Sequence, residues 1–180
     1  MIRGALRLAL FGAGVSYALD RVLAKNAAGE EPDPIESMLV IDAPIERVWA
    51  EVAAIEGQPR WMHDMKSVRV LTPGWVTVGT EAVAEVRIFG ITVQDPVRIT
   101  EFEPPHRFAI SHEGSFKGRG LITLESGADG TTTIVRWEEQ LIPPLLPHLG
   151  ALVLTPTLGS IFQADLVRLK ELVETDPTAA

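Results

Sequence analysis

The 180-residue chain contains no cysteine, which excludes disulfide bonds, thiol nucleophiles and cysteine-based zinc or iron–sulfur sites. Its four histidines, at positions 63, 106, 112 and 148, are scattered, and no pair has the spacing of a metal-binding motif such as H-x-x-x-H. The single tyrosine, Tyr17, lies near the N-terminus, so the rest of the chain has no phenol for acid catalysis. We therefore expect neither a metal nor another cofactor.

An excess of positive charge is also absent. The net charge is −8, which argues against a nucleic-acid partner because binding to nucleic acids depends on neutralising phosphates. With 46% hydrophobic residues the composition is not that of a disordered protein. The length favours one domain, or one domain with an appendage, and a chain of this size buries roughly 70% of its unfolded surface.

The charge is unevenly distributed along the chain. Residues 1–30 hold four basic residues against two acidic ones, whereas the remainder bears a net charge of −10. Between these parts, residues 26–34 contain Gly29, Pro32 and Pro34, which are typical of a linker. The sequence therefore predicts an N-terminal helix at 1–25, a linker at 26–34, a domain at 35–175 and a tail at 176–180.

The N-terminal segment contains an apolar run that is short for a membrane span. Residues 8–19 are uncharged, but about 20 apolar residues are needed to cross a bilayer. On a helix, four basic residues form one stripe, which favours a helix lying on an anionic membrane surface: Arg3, Arg7, Arg21 and Lys25. A spanning helix, docking on the chain's own domain or another chain, and cleavage as a signal peptide remain alternatives.

The body of the chain alternates between apolar and polar residues with a period of two. This pattern predicts seven strands, at 35–41, 66–72, 80–89, 91–103, 106–114, 116–125 and 131–142. A helix is predicted after the first strand, with Asp42 as its N-cap. Near the C-terminus a long helix, which Pro156 would start or kink, has an apolar stripe at Leu158, Phe162, Leu166, Leu169 and Val173. The fold class is α+β.

Four segments resemble a known group of proteins: residues 41–52 (IDAPIERVWAEV), 59–61 (PRW), 103–108 (EPPHRF) and 130–137 (GTTTIVRW). They are similar to motifs of the SRPBCC superfamily, which comprises START-like, Bet v 1-like and polyketide cyclase/dehydrase domains. The resemblance covers residues 35–174. It implies a helix-grip fold, in which a seven-stranded antiparallel sheet wraps around the long C-terminal helix. It also implies a cavity between sheet and helix for lipids, sterols, polyketides or other apolar molecules.

If the sheet grips the final helix, the alternation also indicates which side chains face the cavity. Two of them, His112 and Glu139, are polar and are the candidates for orienting a ligand or for acid–base chemistry. The full set of predicted ligand-binding residues is Ala82, Ala84, Val86, Val97, Ile99, Phe108, Ile110, His112, Val135, Trp137, Glu139, Ile161 and Phe162.

The leading functional hypothesis is a cytoplasmic binding protein that encloses a hydrophobic small molecule such as a lipid or polyketide. Contact of residues 1–25 with a membrane would make this protein membrane-associated. One alternative is a cyclase/dehydrase-like enzyme that uses His112 and Glu139 as acid and base. Another is a structural envelope protein whose own side chains fill the core. The fold alone does not discriminate among these functions.

Overall fold

A computed structural model describes residues 16–25, 33–88, 90–142 and 147–175 of the chain. Its strands are β1 (Ile35–Ile41), β2 (Met65–Val70), β3 (Glu81–Ile88), β4 (Ile91–Glu103), β5 (Arg107–His112), β6 (Lys117–Ser126) and β7 (Thr133–Ile142). The helices are α1 (residues 16–25), α2 (Ile45–Ala53) and α3 (Pro147–Thr175), with a 3-10 helix at Ile55–Arg60 between α2 and β2. The predictions for residues 1–15, 26–32 and 176–180 lie outside the described residues.

The seven strands form one antiparallel sheet in the order β1-β7-β6-β5-β4-β3-β2. The α+β helix-grip fold predicted from the sequence is thereby confirmed. Consecutive strands are neighbours from β2 to β7, whereas β1 pairs with β7 at the far edge. Register shifts between Met65 and Ser67 and between Ile99 and Glu101 interrupt the ladders. Such irregularities bend a strand and increase its twist, which helps the sheet to curve around a helix.

The long helix α3 packs against this sheet along the predicted apolar stripe. Leu158, Leu166, Leu169 and Val173 are buried, because residues three or four positions apart lie on the same face of a helix. The helix begins at Pro147 and continues through Pro156, so the prediction that Pro156 could start the helix is wrong. Proline lacks the backbone N–H of one helical hydrogen bond, but α3 continues through Pro156, and its apolar face is buried from Leu158 onward.

One end of the sheet is filled by α2, the 3-10 helix and Trp61. The side chains of Val48, Val52 and Trp61 are fully buried there together with Leu166 and Leu169 of α3. These apolar contacts form the main core.

The predicted N-cap of α2, Asp42, does not cap that helix. The helix begins at Ile45 after Pro44 and has no side-chain cap. The carboxylate of Asp42 instead accepts a hydrogen bond from Lys170 Nζ (3.4 Å), and its backbone N–H donates to Glu174 Oε1 (2.8 Å). Asp42 therefore ties the end of β1 to α3.

The described part of the N-terminal segment, α1, contacts the first turn of α3. Asp20 is 5% exposed and its Oδ1 accepts a hydrogen bond from the backbone N–H of His148 (2.9 Å). The first N–H groups of a helix have no partner within the helix and carry a partial positive charge, so a carboxylate is stabilising there. Arg21 and Lys25, on the same helix, are exposed.

The edge strand β1 is also joined to α3 through its backbone. Gln163 Nε2 donates to the carbonyl oxygen of Met38 (3.3 Å), and Lys170 Nζ donates to that of Val40 (2.9 Å).

Candidate functional site

A cavity of about 380 Å³ lies between the sheet and α3. This volume is within the range of pockets that bind small molecules. The cavity is lined by Ile55, Gln58, Met62, Asp64, Met65, Val68, Ala82, Ala84, Val86, Ile91, Val93, Asp95, Val97, Ile99, Phe108, Ile110, His112, Phe116, Gly120, Ile122, Trp137, Glu139, Leu141, Leu158, Ile161, Phe162 and Asp165.

The wall is largely apolar because alternate residues of each strand face α3. On β3 these residues include Ala82 and Ala84, whose methyl side chains leave space between the sheet and the helix. At one side of the cavity, the aromatic rings of Trp137 on β7 and Phe162 on α3 are in contact, with 4.6 Å between their centroids. This contact joins the sheet to the helix.

Every residue predicted to bind ligand, except Val135, lies on the cavity wall. Val135 does face α3, but it is fully buried in the core. It pairs with Leu39 of β1 and Leu124 of β6, toward the end of the sheet that α2 covers. The alternation identifies the inward face of β7 correctly but does not reveal where along the strand the core gives way to the cavity.

A hydrogen-bonded cluster of three ionisable side chains lies in the wall. His112 Nδ1 lies 2.7 Å from Asp95 Oδ2, and His112 Nε2 lies 2.6 Å from Glu139 Oε1. The second oxygen of Glu139 accepts a hydrogen bond from Trp137 Nε1 (2.8 Å). Side-chain exposure is 10% for His112, 16% for Asp95 and 6% for Glu139.

The strand register brings this cluster together. His112, the last residue of β5, pairs with Val97 of β4, and Asp95 lies two residues along on the same face. On the other side, Glu139 of β7 pairs with Gly120 of β6. A Cβ atom at position 120 would lie 2.7 Å from Glu139 Oε2, so only glycine leaves space for this carboxylate to reach across β6.

The two carboxylates determine the charge of His112. Burial by itself lowers the pKa of this imidazole, but the hydrogen bonds and negative charges of Asp95 and Glu139 outweigh burial and raise the pKa to about 10. The ring is therefore an imidazolium at neutral pH, and both of its N–H groups are donated to carboxylates. In this arrangement His112 has no lone pair with which to accept a proton from a ligand.

A further acidic side chain, Asp165 of α3, lies on the opposite wall. Its Oδ1 accepts hydrogen bonds from the backbone N–H of His63 (3.0 Å) and from Arg168 Nη1. Burial raises the pKa of Asp165, and the His63 N–H and the Arg168 charge oppose this effect. The contact fixes the segment before β2 to α3. Asp64 lines the cavity next to it, whereas the side chain of His63 is exposed.

The sequence-based prediction missed Asp95, which holds one side of His112. The signal was present, because the alternation that places Val97 and Ile99 on the inner face of β4 continues to Asp95. An aspartate on an otherwise apolar face is unexpected unless a partner is known, and the partner lies 17 residues away on the next strand. In the part of the chain that the structure describes, no group of three or more acidic or histidine side chains is arranged to hold a metal ion.

Comparison with protein-family models identifies the family of this chain. A family model described as "Polyketide cyclase / dehydrase and lipid transport" matches residues 35–174. No curated protein matches the chain in sequence.

Solved structures with the same fold have low sequence identity. The protein TTHA0849 from Thermus thermophilus superposes with a TM-score of 0.65 at 19% identity, covering 81% of this chain and 99% of the other. A START superfamily protein from Mycobacterium smegmatis gives 0.64 at 14% identity, with coverages of 79% and 98%. The di-domain ARO/CYC BexL from the BE-7585A biosynthetic pathway gives 0.64 at 18% identity, with coverages of 79% and 47%. At these identities the likeness shows the fold alone.

Proposed function

Because the chain belongs to the polyketide cyclase/dehydrase and lipid transport family, we propose that it binds an apolar small molecule in the cavity between the sheet and α3. The supporting observation is the cavity itself, an apolar space of about 380 Å³ with a few fixed polar groups in its wall. Such a combination is the usual form of a small-molecule site. A structural protein with a filled core would pack its side chains into this space, since protein interiors are close-packed.

The geometry of the polar cluster favours binding over acid–base catalysis by His112 and Glu139. A general base needs a free lone pair and a pKa near the working pH. His112 has a pKa raised to about 10, and its two nitrogens are paired with Asp95 and Glu139. We therefore assign the cluster to orienting the polar group of a bound ligand.

We also propose that the protein is cytoplasmic and that its N-terminal segment associates with an anionic membrane surface. Among the described residues, none of the helices is both long and apolar enough to span a bilayer. The outer surface of α1 supports surface association, because it exposes Arg21 and Lys25 next to Tyr17 and Val22. Basic residues beside apolar ones are typical of helices that lie in the interface.

The direct test of the binding function is to purify the protein under native conditions, extract it with organic solvent and analyse the extract by mass spectrometry. We expect an apolar molecule in stoichiometric amount. The same extraction from a variant with a filled cavity is the control for molecules that adhere to the surface.

The filling variant is Ala84→Phe. Ala84 is 3% exposed and lines the cavity, so a phenyl ring would occupy the empty volume. We expect Ala84→Phe to weaken binding of the neutral fluorescent probe N-phenyl-1-naphthylamine at least tenfold, with the melting temperature nearly unchanged. The matched control is Ala164→Phe on the exposed side of α3, which should bind the probe as the parent does. If Ala84→Phe instead unfolds the domain by overpacking, typically about 1–3 kcal/mol, the position is core and the proposal is contradicted.

A further inference from the structure

The ionisable groups on the cavity wall are almost all acidic. Four acidic residues line the cavity: Asp64, Asp95, Glu139 and Asp165. Among the described lining residues the one basic group is His112, and there is no lysine or arginine. Asp165 is paired with Arg168, and the backbone N–H of His63 also bonds to it.

The donors of the polar cluster are all used within it. Both ring nitrogens of His112 bond to carboxylates, and the indole N–H of Trp137 bonds to Glu139. The lone pairs that remain on Asp95 and Glu139 are acceptors, since an ionised carboxylate has no proton to donate. A ligand that bonds to this cluster must therefore supply an N–H or O–H group.

The cluster also has a negative charge left over, because two carboxylates share one imidazolium. Charges interact more strongly in an apolar cavity than in water, and a buried charge is costly unless a partner neutralises it. A cation at this position would neutralise the remaining charge, whereas a second anion would add to it.

Resting on the binding function proposed above, we infer that the ligand class is an apolar amine, bound in its protonated form with the ammonium group at Asp95 and Glu139. The apolar wall holds the hydrocarbon part of such a molecule, and the carboxylate oxygens accept its N–H groups. The same wall rejects fatty acids and other apolar carboxylates, because their head group offers only acceptors and a like charge.

The test uses three ligands with the same ten-carbon chain and different head groups: decylamine, decanol and decanoate. Each is titrated at pH 7.5 into the full-length protein loaded with N-phenyl-1-naphthylamine, and the displaced fluorescence gives the Kd. We expect decylamine to bind at least tenfold more tightly than decanoate, with decanol between them because it donates one hydrogen bond without charge.

The variant that isolates the cluster is Asp95→Asn, which keeps the shape of the side chain and an oxygen acceptor for His112 but removes one charge. We expect the preference for decylamine over decanoate to fall below threefold. Glu46→Gln removes the same charge from the exposed surface of α2 and should leave the preference unchanged. If Asp95→Asn lowers the melting temperature, Glu139→Gln is used in its place, because it removes the other carboxylate charge of the cluster.

The outcomes separate this inference from the proposed function. If decanoate displaces the probe as well as decylamine does, the inference is overturned, while displacement itself still supports a binding cavity. An unchanged preference in folded Asp95→Asn and Glu139→Gln overturns it as well, because the cluster would not be what selects the ligand. If the probe does not bind the parent protein, the binding function fails and the inference fails with it.

Discussion

At His112, burial and charge act in opposite directions. An isolated imidazole in this position would be neutral, since burial disfavours its charged form. Hydrogen bonds of 2.7 and 2.6 Å to Asp95 and Glu139 reverse that preference. The charged form of His112 therefore depends on both carboxylates, and Gly120 provides the space for Glu139 to reach the imidazole.

The raised pKa makes stability depend on pH in a defined window. Because the pKa of His112 is about 10 in the folded protein and near 6.5 when unfolded, its contribution is fully present below about pH 6.5 and is lost as pH rises through 10. One pKa unit corresponds to about 1.4 kcal/mol, so the loss is a few kcal/mol. Urea unfolding between pH 6 and pH 10 measures this loss. The free energy of unfolding of the parent protein should fall over this range relative to that of His112→Gln.

The matched control for this pH series is His63→Gln, because the side chain of His63 is exposed. The parent and His63→Gln should lose stability in parallel between pH 6.5 and 10. If His112→Gln follows the same curve as both, the imidazole is not held charged by its neighbours.

Among the secondary-structure elements, α3 shows most clearly what a sequence pattern does and does not predict. Its stripe at Leu158, Leu166, Leu169 and Val173 predicts the buried face, because helical spacing is a local property of the chain. The strands were predictable for the same reason. The contacts of Asp95 and Asp42 were not, since they depend on partners brought close by strand register and helix docking. The alternation of residues also does not predict the cavity, because the sequence pattern of an apolar face is the same whether that face is packed against other side chains or lines an empty space.

A charge on the buried stripe of α3 tests the grip of the sheet on this helix. Leu166 is fully buried, so Leu166→Asp places an unpaired carboxylate in the core, and we expect a loss of at least about 3 kcal/mol in the free energy of unfolding. Ala164→Asp, on the exposed side of the same helix, should change it by less than about 0.5 kcal/mol. Gln163 is unsuitable as the control, because its amide donates to Met38 of β1. Equal melting temperatures for the two variants would contradict the docking of α3.

For the whole molecule, the charge distribution separates two surfaces. The chain beyond residue 30 is strongly acidic and would be repelled by an anionic membrane. The described helix α1 is attached to α3 through Asp20, while Arg21 and Lys25 on the same helix remain exposed. Docking on the domain and contact with a membrane surface are therefore compatible for α1.

Vesicle flotation tests whether the N-terminal segment brings the protein to a membrane. Basic residues near an anionic surface contribute about 1 kcal/mol each, and salt screens this attraction. We expect the full-length protein to float with anionic vesicles at low salt and to be released at high salt, and a chain of residues 30–180 not to float. The variant with Arg3, Arg7, Arg21 and Lys25 changed to Gln should behave as the shortened chain does. Absence of flotation at low salt would contradict membrane association.

The contacts between α3 and β1 also bear on aggregation. An edge strand offers unpaired backbone groups to which a strand of another molecule can add, and such addition leads to aggregates. On β1, the carbonyl oxygens of Met38 and Val40 already accept hydrogen bonds from Gln163 and Lys170. A second chain would have to displace both side chains before it could extend the sheet, so the helix that encloses the cavity also protects this edge from intermolecular strand pairing.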